Sequence, residues 1–278
     1  MTTSTLAATA TGAIPPRAIS VLMCEPRYFE VSYAINPWMD PSTGASSELA
    51  VEQWRTLVDV YRTLGFDVDL IEPIPGLPDM VYAANGAFTL DGIAYGASFT
   101  HPQRQPESAA YLRRLEELGF DCREPHFVNE GEGDILVVDD VLLAGHGFRT
   151  DPRAHQELRD IFGREVVSLR LVDPRYYHLD TAMSVVAHSV AFLPDAFDGP
   201  SQAEIRRRFP DAIEVGADEA GVLGLNSFGD GSSIVLTDRA PRFAAALEAA
   251  GHTVVGVALP ELLKGGGSVK CCTLELRR

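Results

Sequence analysis

The sequence predicts a single α/β domain built from several small ββαβ-like units. Segments typical of strands alternate with amphipathic helices along the 278 residues. The order strand, hairpin, helix, strand recurs at intervals of roughly fifty residues. No shift in composition marks a boundary between two domains, and a chain of this length buries a substantial core. We expect the loops of these units to converge on one site.

Turn signals separate the expected elements, and the pattern of the first half recurs in the second. Asp91-Gly92 and Asp139-Asp140 are expected at hairpin turns, and Gly65 at the end of the first helix. In the first half we expect a strand at 18–25, a helix at 47–66, a strand at 67–74, a hairpin at 87–99 and a helix at 107–120. In the second half we expect a hairpin at 134–147, a helix at 152–163, strands at 165–172 and 181–194, a helix at 201–209, and a final strand, helix and strand in GSSIVLTD, APRFAAALEAAG and HTVVGVAL.

The N-terminus and the overall charge narrow the class of protein. The first sixteen residues contain no basic residue and no apolar run of signal-peptide length. We therefore expect residues 1–17 to form a disordered tail before a catalytic domain at 18–278. No stretch approaches the roughly 20 consecutive apolar residues of a membrane span, so we expect a cytoplasmic protein without a membrane partner. A formal net charge of −16 argues against nucleic acid and favours a small cationic or zwitterionic substrate.

Four cysteines are present, and no two of them form a CxxC pair. A disulfide framework or a structural zinc site is therefore not indicated. Cys24 and Cys122 are interpreted as core residues or inert thiols. Cys271 and Cys272 are adjacent in KGGGSVKCCTLELRR, at 264–278, and need a separate interpretation.

This C-terminal segment has two interpretations. A cysteine becomes a nucleophile when positive charge or backbone N–H groups stabilise its thiolate, and Lys270 with the three preceding glycines supplies both. Glycines also let the backbone approach a ligand closely. Alternatively, the glycines form a turn and both cysteines fill space in a last strand, CCTLEL. In such a strand, one cysteine faces the site and the other faces the core.

Among the seven histidines, His178 is the candidate proton shuttle for a thiol nucleophile. It lies at the start of an expected strand, with Asp180 two residues further on. Residues i and i+2 of an extended chain share a face, so both side chains would point into the same space. The other six histidines have no acidic residue at this spacing and are interpreted as solvated or structural.

Two polar loops are further candidates, although each is also typical of a solvated turn. The segment FVNEGEGDILV, at 127–137, places Glu130, Glu132 and Asp134 among glycines before a strand. Its carboxylates are suited to a metal ion, to orienting an imidazole or to binding a cation. The segment PGLPDMVYAANGAF, at 75–88, contains Asp79 and Asn85.

Several of these segments together resemble a known superfamily. The motifs PDMVYAANG, NEGEGD, GFR, RLVDPRYYHLDT and GGGSVKCCTLE, in this order, are similar to those of the guanidino-group-modifying enzymes. That superfamily includes arginine deiminases, dimethylarginine hydrolases and amidinotransferases. VSYAINPWM and AVEQW also resemble one branch, the arginine dihydrolase module of bifunctional arginine dihydrolase/ornithine cyclodeaminase proteins. The resemblance implies the pentein fold, a five-bladed α/β propeller with pseudo-fivefold symmetry.

The resemblance also implies roles for individual residues. Cys271 would be the nucleophile, with Cys272 pointing away, and His178 the acid and base. Glu130 would be the carboxylate partner of His178, with Glu132 as a rival because NEGEGD has one residue more than the EGGD of many relatives. The residues assigned to substrate binding are Asp180 for the guanidinium, Arg149 and Arg104 for the carboxylate, and Asn85, Asn36, Asp134 and Asp79.

The implied reaction is attack of Cys271 on the guanidinium carbon, giving a covalent thiouronium that water hydrolyses. Deiminases and dimethylarginine hydrolases carry Asp where this chain has Asn85, whereas the dihydrolase branch carries Asn there and at the position of Asn36. A neutral amide lets the site retain a neutral ureido group for a second attack, giving ornithine, two ammonia and carbon dioxide. The alternatives are a single-step hydrolase that forms citrulline from arginine or methylated arginine, and a non-catalytic arginine-binding protein. We expect no metal or other cofactor, and a homo-oligomer is compatible with the sequence.

Overall fold

The computed structural model describes residues 19–278. The expected N-terminal tail lies outside the described residues. The strands are β1 Ser20–Cys24, β2 Asp67–Ile71, β3 Ala87–Leu90, β4 Ile93–Gly96, β5 Asp121–Arg123, β6 Ile135–Val138, β7 Val141–His146, β8 Glu165–Arg170, β9 Met183–Val186, β10 Ser189–Phe192, β11 Ile213–Glu214, β12 Phe228–Gly229, β13 Ser233–Thr237, β14 Thr253–Val257 and β15 Leu274–Glu275.

The α-helices lie between these strands, and short 3₁₀ turns accompany several of the loops. The helices are α1 Ser47–Thr63, α2 Glu107–Glu117, α3 Ala154–Phe162, α4 Leu179–Ala182, α5 Gly199–Arg208, α6 Ala217–Ala220, α7 Pro241–Ala249 and α8 Pro260–Leu263. The 3₁₀ turns are Pro78–Val81, Ala83–Gly86, Gly131–Gly133 and Pro194–Ala196.

The strands form five sheets of three strands each, with the orders β15-β1-β2, β3-β4-β5, β6-β7-β8, β9-β10-β11 and β12-β13-β14. In every sheet the first two strands are antiparallel and the last two are parallel. The parallel pair is joined by a crossover that contains a helix, as parallel pairing requires. Five ββαβ units in one domain confirm the predicted repeat and the five-bladed propeller that the resemblance implies.

The first sheet combines the two ends of the described chain. Val21 of β1 is opposite Glu275 of β15, and Leu22 is opposite Leu274, in an antiparallel pairing. The C-terminal strand therefore completes the unit that β1 and β2 begin, and it closes the ring of blades. The nucleophile candidate Cys271 precedes this closing strand directly in sequence.

The first strands of the units lie nearest the centre of the ring. β6 contacts β9, β9 contacts β12, and β15 contacts β3. The helices pack against the sheets, as Trp54 and Leu57 of α1 do against Val21 and Met23 of β1, the middle strand of its sheet. Loops that precede the first strands therefore open on the ring's central axis.

The two predicted hairpin turns are confirmed. Asp91 and Asp139 adopt positive φ angles of 52° and 53° between their strands, a conformation that Asp tolerates better than most residues. The strands β5, β11 and β12 were not predicted as such, because strands of two or three residues give too short an alternating pattern. The interpretation that both cysteines lie in a last strand is wrong, since they lie in a turn and the strand begins at Leu274.

Cys24 is buried and Cys122 is partly buried, and both are free thiols. No helix within residues 19–278 combines the length and apolarity needed to cross a bilayer. The cytoplasmic location and the homo-oligomer stay predictions.

Candidate active site

Each of the five units supplies a polar side chain just before its first strand. Asn85 precedes β3, Asp134 precedes β6, Asp180 precedes β9, Asn226 precedes β12 and Cys271 precedes β15. All five are nearly or fully buried. Because the first strands surround the axis, these side chains lie around one end of it.

Cys271 is 2% exposed and has two polar neighbours. Its Sγ lies 3.2 Å from Asp180 Oδ2 and 3.1 Å from Asn226 Nδ2. Cys272 is fully buried in the same apolar cluster as Trp54 and Val235 and contacts neither group. The turn at these positions, rather than strand alternation, separates the two thiols.

The pKa values of the Cys271 thiol and of the Asp180 carboxyl are both raised. Burial raises the pKa of Cys271 well above its usual range, and the charges of Asp180 and Cys272 raise it further. Burial also raises the pKa of Asp180 to about 7, although Lys270 and the bond from Cys271 oppose the rise. Cys271 is therefore a neutral thiol that donates to Asp180 until a cation enters the site.

The predicted role of Lys270 beside the thiolate is wrong for this structure. Its Nζ donates to Glu132 Oε2 at 2.5 Å and to the Thr273 carbonyl at 2.9 Å. A buried carboxylate holds the ammonium more strongly than a neutral thiol does, so the lysine turns away from Cys271.

At the three glycines before the cysteines, neighbouring side chains pack directly against the backbone. A Cβ at Gly265 would lie 2.1 Å from the Tyr82 hydroxyl, and one at Gly267 would lie 2.3 Å from the Tyr82 ring. Gly266 has φ +88°, and a Cβ there would lie 2.7 Å from the Asn36 amide. The loop is thereby held against residues 25–46, which connect β1 to α1.

His178 contacts Glu130 and not Glu132. His178 Nε2 lies 2.7 Å from Glu130 Oε2, and both side chains are almost fully buried. The argument from an extended chain was wrong, because His178 immediately precedes α4 and Asp180 lies within that short helix. The structure nevertheless buries both side chains near the same end of the axis.

Glu130 is held as a carboxylate. Its Oε2 also accepts from Arg149 Nη1 at 2.9 Å, and its Oε1 accepts from the Thr100 amide at 3.2 Å. Burial acts to raise the pKa of Glu130, but Arg149 and His178 outweigh it and hold the pKa well below its usual range. Glu130 is therefore charged at neutral pH and orients the imidazole through Nε2.

Glu132 belongs to a different cluster. Besides Lys270, it accepts from the Glu275 amide at 3.0 Å and pairs with Arg277. Glu132 lies within the 3₁₀ turn Gly131–Gly133 and Glu130 precedes it, so the two side chains point to different parts of the molecule.

The two arginines are positioned by other protein groups. Arg149 Nη2 donates to the Ile35 carbonyl at 2.8 Å, and its guanidinium lies 4.7 Å from the centre of the Tyr177 ring. Arg104 makes a two-point ion pair with Glu107, at 3.0 and 2.8 Å. Arg104 Nη1 also donates to Asn85 Oδ1 at 2.7 Å, which fixes the orientation of the Asn85 amide.

Asn85, Asp79 and Asn36 surround the same space. Asn85 Nδ2 lies 3.5 Å from the Glu130 carbonyl. Asp79 Oδ2 accepts from the Tyr33 hydroxyl at 2.8 Å, and burial raises the pKa of Asp79. Asn36, on the loop that covers the site, donates to the Gly265 carbonyl at 3.0 Å.

Asp134 lies in the scaffold under the site. Its Oδ2 accepts from the Thr150 hydroxyl at 2.7 Å, and its Oδ1 accepts from the Leu179 amide at 3.0 Å. Burial raises its pKa to about 6. Both oxygens are thus engaged by the protein, and the bond to Oδ1 fixes the start of α4, which carries Asp180.

Asn226 and Glu107 were not among the predicted site residues. Asn226 precedes β12, a strand of two residues, so no alternating pattern marks its place. The corresponding position before the first strand in the other four units would have indicated it. Glu107 was interpreted only as the start of a helix, whereas it is fully buried and holds Arg104.

The site has acceptors for a cation. Of the buried side-chain polar atoms that make no hydrogen bond within residues 19–278, three belong to residues of the site: Asp79 Oδ1, His178 Nδ1 and Asp180 Oδ1. In the same part of the chain, no group of three or more His, Cys, Asp or Glu side chains is placed to hold a metal ion. A thiol, an imidazole oriented by a carboxylate, and free carboxylate oxygens are suited to attack on a cationic carbon.

Comparisons of sequence agree with this chemistry. Residues 29–278 match the family described as N,N dimethylarginine dimethylhydrolase, eukaryotic. The chain is 52% identical to the N(G),N(G)-dimethylarginine dimethylaminohydrolase of Mycobacterium tuberculosis, over 94% of this chain and 87% of that protein. It is 35% identical to the bifunctional arginine dihydrolase/ornithine cyclodeaminase ArgZ of Synechocystis sp., over 93% of this chain but 38% of that protein.

Solved structures show the same fold. The N-terminal domain of ArgZ, covalently bound to a reaction intermediate, superposes with a TM-score of 0.90 at 35% identity, covering 94% of this chain and 98% of that one. A dimethylarginine dimethylaminohydrolase structure superposes with a TM-score of 0.80 at 18% identity, which is a likeness of fold alone.

Proposed function

The chain belongs to the dimethylarginine dimethylhydrolase family and is a hydrolase of guanidino C–N bonds; within that class we propose that it is an arginine dihydrolase. The reaction converts L-arginine and two water molecules to ornithine, two ammonia and carbon dioxide. Cys271 is the nucleophile, His178 the acid and base, and Glu130 the carboxylate that orients His178. No metal takes part.

The observation that carries the dihydrolase assignment is the amide at residue 85. Asn85 is 2% exposed, its Oδ1 accepts from Arg104, and its Nδ2 makes one long contact of 3.5 Å with the Glu130 carbonyl. We assign the second N–H of Nδ2 to the reacting group. A carboxylate here would favour a cation over a neutral molecule, whereas an amide does not discriminate by charge. The site therefore accepts both a guanidinium and the neutral ureido group that replaces it.

Substrate binding prepares the thiol. We assign the guanidinium to Asp180 and Asp79, whose unpartnered oxygens accept N–H donors, and the substrate's carboxylate to Arg149 and Arg104. Positive charge beside Cys271 favours its thiolate, and Asp180 then accepts from the guanidinium instead of from the thiol. The nucleophile thus forms only when the substrate is in place.

The first half of the reaction makes a covalent intermediate. His178 takes the thiol proton, the thiolate attacks the guanidinium carbon, and a C–S bond forms. His178 returns the proton to one nitrogen, and its C–N bond breaks as ammonia leaves. A positively charged thiouronium remains on Cys271.

The second half uses water. His178 removes a proton from a water molecule, the oxygen attacks the thiouronium carbon, and the C–S bond breaks to restore the thiolate. If the ureido product stays bound, the thiolate attacks again and a second ammonia leaves. A second water then releases a carbamate, which loses carbon dioxide to give ornithine.

Structures of relatives support the two catalytic assignments. A Cys-to-Ser variant of the ArgZ N-terminal domain is bound to substrate, and an Asn-to-Ser variant is covalently bound to a reaction intermediate. In that protein, loss of a cysteine is thus compatible with binding, and loss of an asparagine is compatible with a covalent complex. These are the stages to which we assign Cys271 and Asn85.

A second candidate is hydrolysis of N-methylated arginine to citrulline. The observation that favours it is the name of the Mycobacterium tuberculosis relative, which is 52% identical to this chain. This reaction uses the same nucleophile and stops after one hydrolysis.

The test is to supply L-arginine and N,N-dimethylarginine separately, without added metal, and to identify the products by chromatography. We expect ornithine from arginine, and replacement of Asn85 by Asp should redirect the product toward citrulline. Gln103→Glu, a change at an exposed position, is the control for an added carboxylate and should leave the product unchanged. Turnover of dimethylarginine alone, with dimethylamine released, would replace our proposal with the second candidate.

A further inference from the structure

We propose that Asn226 is a catalytic residue, which donates a hydrogen bond from Nδ2 to the Cys271 sulfur and stabilises it as it becomes the attacking thiolate. The inference rests on the proposed role of Cys271 as nucleophile. It gives a chemical task to a residue that the sequence motifs did not indicate.

The hydrogen bonds fix which end of the Asn226 amide faces the sulfur. Asn226 Oδ1 lies 3.0 Å from the Cys271 amide nitrogen and 3.1 Å from the Ser268 amide nitrogen. Both partners are backbone donors, so only an oxygen can face them. The amide nitrogen must then face Asp180, whose carbonyl oxygen is 3.1 Å away, and Cys271 Sγ, at 3.1 Å.

This orientation makes Asn226 a donor that prefers the thiolate. A thiolate is a stronger acceptor than a thiol, so an N–H group aimed at sulfur stabilises the charged form. Asp180 has the opposite effect, because its Oδ2 accepts from the thiol at 3.2 Å. Once a guanidinium occupies Asp180, the bond from Asn226 continues to stabilise the thiolate.

Asn226 also couples two parts of the site. Its oxygen holds the backbone at 268 and 271, and its nitrogen holds the Asp180 carbonyl in α4. The residue is fully buried, and its own carbonyl accepts from the Lys270 amide at 3.2 Å. One side chain therefore sets the position of the nucleophile relative to the carboxylate that binds the guanidinium.

Four titratable groups surround the sulfur. Asp180 approaches from α4, Cys272 from the same turn, Tyr177 from the segment before α4 and Tyr82 from the 3₁₀ turns before β3. Burial raises the pKa of both tyrosines well above the usual range, so both are neutral. Asp180 is the group whose charge changes near neutral pH.

The decisive variant is Asn226→Asp. A carboxylate keeps the acceptors for the Ser268 and Cys271 amides but cannot donate to sulfur. This variant also loses the bond to the Asp180 carbonyl and adds a negative charge beside the sulfur. Asn226→Ala, which adds no charge, is therefore measured alongside it, and an upward shift in both variants indicates loss of the donor to sulfur. Ser227→Ala is the matched control. Ser227 is the residue next to Asn226, and its replacement removes a buried hydrogen bond to Ser184 but no bond to Cys271.

The readout is the pH dependence of Cys271 alkylation by iodoacetamide, with fragment-ion mass spectrometry to separate Cys271 from Cys272. We expect the alkylation midpoint of Asn226→Asp to move upward by about one pH unit or more. The kcat on arginine should fall on the order of 100-fold, as for loss of one catalytic hydrogen-bond donor. Ser227→Ala should match the parent in both.

An unchanged alkylation profile in a folded Asn226→Asp protein would overturn the inference. If that variant fails to fold, Asn226→Ala decides alone: the same upward shift supports the donor role, and a parental midpoint refutes it. Because alkylation needs no turnover, it tests Asn226 even if the parent protein does not convert arginine, an outcome that would refute the proposed function alone.

Discussion

Glu130 and Glu132 are two residues apart, equally buried and both ion-paired, yet they belong to different parts of the molecule. Glu130 accepts from His178 and Arg149 beside the thiol. Glu132 pairs with Lys270 and Arg277 in a cluster that ties the C-terminal segment to the loop before β6. The first orients a catalytic imidazole, and the second joins the closing strand to the rest of the ring.

The difference shows that burial and charge do not distinguish a catalytic acid from a structural one. The partners do: Glu130 contacts a group that can exchange a proton, whereas Glu132 contacts cations that stay charged. Partners also distinguish the two cysteines, which belong to the same apolar cluster. The Cys271 sulfur is hydrogen-bonded to Asp180 and Asn226, whereas the Cys272 sulfur makes no such bond within residues 19–278.

The largest expected effect is at the cysteines. Cys271→Ser should lower kcat on arginine by roughly 10⁴-fold or more, because serine in this site has no activated oxyanion. Binding of arginine, measured by calorimetry, should persist. Cys272→Ser is the matched neighbour and should keep activity while losing some thermal stability. Equal activity loss in both variants would contradict the assignment of Cys271 as the nucleophile and of Cys272 as a structural residue.

The glutamates give the next largest effect and the clearest contrast. Glu130→Gln should lower kcat by about 10²- to 10³-fold, because the imidazole loses its charged orienting partner. Glu132→Gln should instead lower the free energy of unfolding by about 3 kcal/mol, because it leaves buried cations less compensated. Steady-state kinetics and chemical denaturation on both variants provide the measurement. A large kcat loss in folded Glu132→Gln would contradict the assignment.

The smallest expected effect is on the pH dependence of stability. Burial raises the pKa of Asp180 and of Glu107 to about 7 and that of Asp134 to about 6. The folded protein therefore binds more protons than the unfolded chain between about pH 4 and pH 7, and stability falls as pH rises through this window. Glu130, with its lowered pKa, contributes stability that is lost only below the usual carboxyl range.

Asp180→Asn removes one of these groups. Between pH 4.5 and pH 7.5, the unfolding free energy of the parent should fall. That of Asp180→Asn should fall by about 1 to 4 kcal/mol less. Denaturation at a series of pH values measures the slope. Parallel slopes for the two proteins would show that Asp180 does not hold a proton in this state.

Much of the fold was predictable because its elements carry local signals. The hairpins at 87–99 and 134–147 have Asp at turns with positive φ, and α1 has apolar residues at helical spacing before Gly65. The short strand β12 and the closing pairing of β15 with β1 carry no such signal. They form because the middle strand of the same sheet, β13 for β12 and β1 for β15, supplies the pairing partner.

The candidate site was predictable mainly through the resemblance of motifs. His178 and Asp180 were placed in one space on the assumption of an extended chain. In the structure, His178 precedes α4 and Asp180 lies within that helix. Lys270 was assigned to the thiolate because sequence proximity cannot show that Glu132, far away in the chain, binds it more strongly. Asn226 was missed because its task depends on four contacts from two distant segments.

The most direct test of the account is the ratio of ammonia released to arginine consumed by the purified protein, with ornithine and citrulline quantified in the same samples. We predict two ammonia and one ornithine per arginine, with no citrulline accumulating and no added metal required. One ammonia with one citrulline per arginine would contradict the dihydrolase reaction, and no consumption of arginine would contradict its choice as substrate.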